Sequence, residues 1–419
     1  MSTITTDQFS TSTRTLSKSS PLADLKRLPL LIRLVLLFLV AIFTWSTSFL
    51  GFNLTGLAWA IPFALSLLIV ALNLRNVTFP AVFWLPWVLL LFTYFLLVDR
   101  VQLDPRVIPL QRTLQLLCPL VVGMAVSTWR PTADGLRAFL ATCRRLAYLI
   151  LLIVLLKTGI LLTGVLPSAT GLAPEAIAVT LLTTLFATNL IITRSKNDLM
   201  LWAMLVCVPF IAVTRTAIVA TLVTLPFSLA PLRVSRRILA MGLIALAGVA
   251  IFNTEHIQKK MFYSGQGTLA DLNGSNDDLA TSGRKFMWEE MRAVAQNKEW
   301  TGHGTGAGET FTYYLTGNLA YPHNDWLLTF FDYGYLGIGT YVFCLLLTVW
   351  HSFSRARKES ATLIKVLLYT GASAFIPFAI MMTTDNIMVY ASYFGNLHFT
   401  IMGVAYGALR ARQEEITRG

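Results

Sequence analysis

Long apolar runs joined by short polar connections make up most of the chain, and one polar stretch of about seventy residues, from Asn253 to Pro322, interrupts them. A helix rises 1.5 Å per residue, so about twenty apolar residues cross a hydrocarbon layer roughly 30 Å thick. On that basis the pattern predicts spans at about 28–50, 54–73, 79–98, 107–127, 144–163, 173–193, 198–213, 215–232 and 236–252, then at about 324–350, 361–382 and 388–409 after the polar stretch. The first run is longer than the apolar core of a signal peptide, so an uncleaved first span is expected despite the Ala58-Trp59-Ala60 triplet. The stretch Asp198 to Leu232 fits either one long helix or a hairpin turning at Val213-Thr214-Arg215-Thr216. The hairpin leaves Arg130, Arg144, Arg194, Arg233, Arg355 and Arg410 on one side, and almost only Arg100 and Arg106 on the other. That bias puts the basic loops and both termini in the cytoplasm and the polar stretch outside.

The expected organisation is therefore an all-α polytopic membrane protein with about twelve transmembrane helices and one large extracytoplasmic loop. Residues 1–27 form a Ser/Thr-rich disordered cytoplasmic tail, 28–252 the first nine spans, 253–322 the outer loop, 323–409 the last three spans and 410–419 a short tail. Composition agrees: 419 residues, 55% hydrophobic, only 13% charged and a mean hydropathy of +0.64 exclude an ordinary soluble domain. The net charge of +12 is scattered between apolar runs, which marks topology determinants and not a nucleic-acid surface. Cys118, Cys143, Cys207 and Cys344 fall in or beside apolar runs, so neither a disulfide framework nor a metal site is indicated.

The outer loop has internal order. Gly265-Gln266-Gly267 and Gly274-Ser275-Asn276-Asp277-Asp278 read as irregular loop, the paired aspartates as a solvated turn in preference to a metal site. From Ser282 to about Asn297, Phe286, Met287, Met291 and Val294 recur at helical spacing, with Arg284, Trp288 and Ala295 on or beside the stripe. The run Gly302-His303-Gly304-Thr305-Gly306-Ala307-Gly308 lacks the ending of a phosphate-binding loop; its glycines suit either a mobile loop or close approach to a substrate or another segment.

Five ionisable residues are not explained by topology. Arg112 and Lys157 lie several residues inside their spans, Arg215 at the hairpin turn and Arg284 in the first turn of the loop helix, where a cation opposes the macrodipole. No comparable set of acids accompanies them in sequence, so they point either to an electropositive pocket for an anionic head group or to snorkelling for Arg112, Lys157 and Arg215 and a simple surface charge for Arg284. Tyr321-Pro322-His323-Asn324-Asp325 sits where the outer loop enters a span. The positive end of a helix dipole there favours neutral imidazole, so His323 is a candidate general base or a helix cap, and Asn324 orients it or caps the helix.

The order Thr214-Arg215-Thr216, Gly283-Arg284 with Trp288, Gly302 to Gly308, and Pro322-His323-Asn324 with Leu327, Gly334 and Gly337 resembles the O-antigen ligase and polymerase superfamily, most of all the ligases. The resemblance implies a GT-C-like fold in the bacterial inner membrane and metal-free, cofactor-free transfer of a glycan from undecaprenyl pyrophosphate to a sugar hydroxyl of lipid A-core at the periplasmic face. It assigns catalysis to His323, Arg215 and Arg284, with Arg112, Lys157, Trp288, Asn324, Gly304 and Gly306 expected around the substrates. A polymerase or protein O-oligosaccharyltransferase would share the donor. The short C-terminal tail, with no soluble region for a protein acceptor, favours the ligase. A flippase would instead need charges across the whole bilayer and internal repeats, which the sequence lacks.

Overall fold

The computed structural model describes residues 20–45, 48–49, 52–98, 101–162, 172–212, 214–272 and 284–418. Val213, Arg100, Gly283, most of the expected tail and the Gly274–Asp278 run lie outside them. The helices before the polar stretch are α1 Pro21–Lys26, α2 Leu30–Trp45, α3 Leu54–Leu72, α4 Leu85–Leu96, α5 Pro109–Val126, α6 Ala133–Leu162, α7 Ala173–Thr193, α8 Lys196–Ile211, α9 Arg215–Leu222 and α10 Val234–Phe252. The polar stretch contributes α11 Glu255–Met261, α12 Arg284–Ala295 and α13 Ala307–Thr316; then come α14 Asp325–Lys358, α15 Thr362–Ser373, α16 Phe375–Met381 and α17 Gly395–Arg418. A two-residue ladder pairs Ser48–Phe49 with Phe52–Asn53. Among the described residues the other regular elements are helical.

Among the described residues, seven helices are long and apolar enough to cross a membrane, and Leu30–Thr44 and Ala81–Leu96 are shorter apolar helices. This is a multi-pass membrane protein. Several expected spans prove broken. The run expected over 215–232 is helical only to Leu222, because Pro226 and Pro231 withhold backbone donors and push their preceding residues out of the helical region. The run over 361–382 divides into α15 and α16, and that over 388–409 becomes helical only at Gly395.

The core lies where α5, α7, α15 and α17 pack together, with α3 against α5 and α14 against α15. Close packing depends on small residues: a Cβ on Gly403 of α17 would stand 2.7 Å from the Gly123 carbonyl oxygen of α5. By contrast α10 exposes Ile238, Leu239, Leu243 and Leu246 and buries only Phe252, the pattern of a lipid-facing helix.

The loop helix α12 lies close to its expected bounds. Met287, Met291 and Ala295 pack with Leu327 and Phe331 of α14, but Phe286 is 62% exposed, so the buried stripe is narrower than spacing suggested.

Candidate active site

Three helices begin at one place. Arg215 is the first residue of α9, Arg284 the first of α12, and His323 immediately precedes Asn324, the N-cap of α14. All three meet the turn Thr384-Asp385-Asn386 that follows α16. The Arg284 Nη1–H donates to the Thr384 carbonyl at 3.1 Å, and the Thr216 hydroxyl touches the Thr384 hydroxyl. His323 Nδ1 lies 3.3 Å from Asn386 Nδ2 and 3.8 Å from Asp385 Oδ1. The first is within hydrogen-bond distance and the second just beyond it.

His323 is held in the left-handed region, φ 53, which a non-glycine residue enters at a cost of about 1–3 kcal/mol. Bonds on both sides of it explain how. The Trp288 indole N–H donates to the Pro322 carbonyl at 2.6 Å, and the Asn324 side chain accepts from Leu327 N–H at 2.9 Å. Asp325 then ties α14 to the turn after α16: its N–H donates to the Met382 carbonyl at 2.9 Å and its Oδ2 accepts from Met388 N–H at 2.7 Å. Pinned this way, the ring faces Asp385 and Asn386.

Electrostatically the centre is cationic. Burial pulls the Arg284 guanidinium below its ordinary value, while Asp385 raises it and Arg215 lowers it further, which places these three charges in one field. The Arg215 guanidinium reaches Met261 Sδ at 3.8 Å, tying the start of α9 to the end of α11. The N-termini of α9, α12 and α14 add their partial positive charge at the same point. The arrangement suits an anion with several oxygens, next to an imidazole that can take a proton.

The remaining expected residues divide. Trp288 and Asn324 position the His323 backbone. Arg112 is buried on α5, with an acidic partner that sequence order concealed: it pairs with Glu309 of α13, and its guanidinium lies 4.7 Å from the centre of the Tyr321 ring. Its Nε and Nη1 have no hydrogen-bond partner among the described residues. Lys157 likewise pairs with an acid, Glu175 of α7, which offers a structural reason for its depth. Both acids correct the expectation that these cations stand without counter-charges; Glu309 is almost two hundred positions from Arg112, whereas Glu175 lies only 18 from Lys157, on the next helix.

Gly304 and Gly306 serve close approach to another segment. α14 is bent at Gly334, with φ 61 and ψ −161, and the glycine run fits into the break. His303 N–H and Gly304 N–H donate to the carbonyls of Phe331 and Asp332, each at 2.8 Å, while Tyr335 N–H and Leu336 N–H donate to Glu299 and Trp300 carbonyls at 2.7 and 3.1 Å. The Asp332 carboxylate accepts from Gly306 N–H at 3.1 Å and Gly308 N–H at 2.7 Å. A Cβ on Gly302 would stand 2.4 Å from Asp332 backbone atoms.

Residues 199–342 match the family model described as O-antigen ligase. The match supports membership of the chain in the O-antigen ligase superfamily. No curated protein matches it. That superfamily comprises glycan ligases and polymerases, which supports an enzyme of that kind. The matched region of the O-antigen ligase family holds Arg215, Arg284 and His323, whereas Thr384, Asp385 and Asn386 lie beyond it. Sequence reading missed these three. Their signal was position: a short polar link between two apolar runs, at the same end of the spans as His323.

Proposed function

We propose that this protein is an O-antigen ligase, transferring a glycan from undecaprenyl pyrophosphate to a sugar hydroxyl of lipid A-core at the periplasmic face of the bacterial inner membrane. The observation that carries the reading is the meeting of Arg284, His323 and Thr216 on the Thr384–Asn386 turn, with the Arg215 charge felt at Arg284, all inside the matched region. On this reading about twelve passes, counting the broken helices, form a GT-C-like bundle, and the polar residues 253–322 lie in the periplasm.

The chemistry follows from the charges. The acceptor oxygen attacks the anomeric carbon, the bond from that carbon to the phosphate oxygen breaks, and its electron pair leaves on undecaprenyl pyrophosphate. Arg215 and Arg284, with three helix N-termini, stabilise the charge developing there. His323 takes the proton from the acceptor hydroxyl, and a single displacement inverts the anomeric configuration. The Asn386 amide keeps its shape when rotated by 180°, and its Oδ1, otherwise without a hydrogen-bond partner, then accepts from Nδ1–H of His323. That tautomer leaves Nε2 as the base. Asp385, close behind, offsets the charge the ring gains. Arg112 and Lys157 stay paired with their acids on this reading, the free N–H groups of Arg112 being available near Tyr321.

Purified protein in detergent, given undecaprenyl-pyrophosphate glycan and lipid A-core with chelator and no nucleotide, is expected to form ligated product. His323→Ala should lower kcat by about 10² to 10⁴. Product formed at an unchanged rate by that variant would remove the proposed base, a divalent-metal requirement would undo the arginine assignment, and glycan lengthening with lipid A-core untouched would identify a polymerase.

A further inference from the structure

At the far end of α12 from Arg284 lies a separate open cleft of about 600 Å³, bounded by the loop after Val101, by α13 and by the start of α14. Ten residues of helix, roughly 15 Å, separate Arg284 from Val294 on its rim. One side of the cleft is a continuous aromatic ladder. His303 stacks on Phe331 at 4.8 Å, Phe331 on Phe311 at 5.3 Å and Phe311 on Tyr314 at 6.2 Å, the planes tilted by only 25–28° at each step. The ladder ends on Tyr314, which is 82% exposed.

Facing the ladder is a preorganised polar edge. Asp104 and Arg106 form a two-point pair, Nε to Oδ1 at 2.8 Å and Nη2 to Oδ2 at 2.9 Å, and Asp104 N–H donates to the Thr310 hydroxyl at 3.1 Å. The Arg106 guanidinium lies 3.8 Å over the Tyr313 ring, so both side chains are fixed before anything binds. Asp104 and Arg106 are not needed by the catalytic centre described above; Phe331 and Phe311 also pack in the apolar cluster under α12, so the open ring that the ladder presents is Tyr314 at its end.

We infer that this cleft is a saccharide-binding subsite, a conclusion that rests on the transferase reading above. A pyranose has an apolar C–H face that stacks on aromatic rings and an equatorial rim of hydroxyls that a fixed carboxylate and guanidinium bind in pairs. A pocket for an apolar ligand would not place a fixed ion pair opposite the rings. A nucleotide or phosphate would not suit Asp104. The distance from Arg284 matches a ligand that is a chain of sugars and not a single one. Its source is either the donor glycan, running outward from the pyrophosphate, or the outer sugars of the acceptor core.

The test begins without turnover. Isothermal titration of the purified protein with size-fractionated polysaccharide, released by mild acid from the lipopolysaccharide of the source bacterium, is expected to show binding that Tyr314→Ala weakens about tenfold. Asp104→Asn should weaken it comparably. Because Tyr314 is exposed and the half-buried Asp104 carboxylate pairs with the exposed Arg106, thermal unfolding midpoints should match the parent. In the transfer assay, Tyr314→Ala should raise KM for a many-repeat donor and leave KM for a single-repeat donor and kcat unchanged. A rise for full-length but not truncated lipid A-core would assign the subsite to the acceptor instead. Absence of polysaccharide binding by the parent, or binding unchanged in both variants, overturns the inference. Intact binding without any glycan transfer overturns the proposed function and leaves the subsite standing.

Discussion

His323 occupies a backbone conformation that its own side chain disfavours, and neighbours hold it there. Of these, the Trp288 indole donor is the one that ties the residue before it to a different helix. Trp288→Phe keeps most of the ring's packing and removes that single hydrogen bond, worth about 1 kcal/mol in stability. It should lower kcat about tenfold while the unfolding midpoint barely moves; an unchanged kcat would show that the loop is fixed without it. His323, Arg284 and Arg215 were legible in sequence because each breaks a local rule: an ionisable group at a span boundary, or a cation at a helix start. Asp385 and Asn386 break no such rule in a polar link, so only their position in space gives them meaning.

At the level of elements, the chain departs from the hydropathy pattern where helices are interrupted. Apolarity located α8, α9, α14, α15 and α16 well enough, but a hydropathy pattern has no term for a glycine whose φ is 61 or for prolines that stop α9 after eight residues. The bend in α14 is completed by the glycine run, whose backbone supplies the donors and acceptors that the broken turn leaves open. The alternation of glycines in the sequence suited either a mobile loop or close approach, and the structure shows close approach, of Gly302 and Gly308 to α14 and of Gly304 and Gly306 to Val101 and Val107. Gly334→Ala places a Cβ 2.5 Å from the Trp300 carbonyl carbon and strains a positive φ. It should destabilise the protein by roughly 2–4 kcal/mol, read as a fall in the unfolding midpoint in detergent, whereas Gly339→Ala, with open space around its Cβ position, should not.

Across the whole molecule, the loop helices are fastened to the bundle by the apolar cluster between α12 and α14 and by a few buried polar contacts. The Arg112–Glu309 pair is the deepest of them, joining α5 to α13 beneath Tyr321. Glu309→Leu leaves a buried guanidinium without its counter-charge and should cost about 3–5 kcal/mol, and the double variant Arg112→Met with Glu309→Leu should recover most of that loss. Thermal unfolding of the two proteins side by side measures the difference; equal losses would mean that the pair contributes little. Pairings of this kind, between residues almost two hundred positions apart, are invisible to periodicity.

The three-residue turn after α16 has a consequence for how such enzymes diverge. On the proposed mechanism it closes the reactive centre from outside residues 199–342, which makes the matched region only part of a working unit. A graft of that region into a relative would be completed by the host's own link between its last two membrane segments. Exchange of specificity by recombination therefore requires the two pieces to travel together.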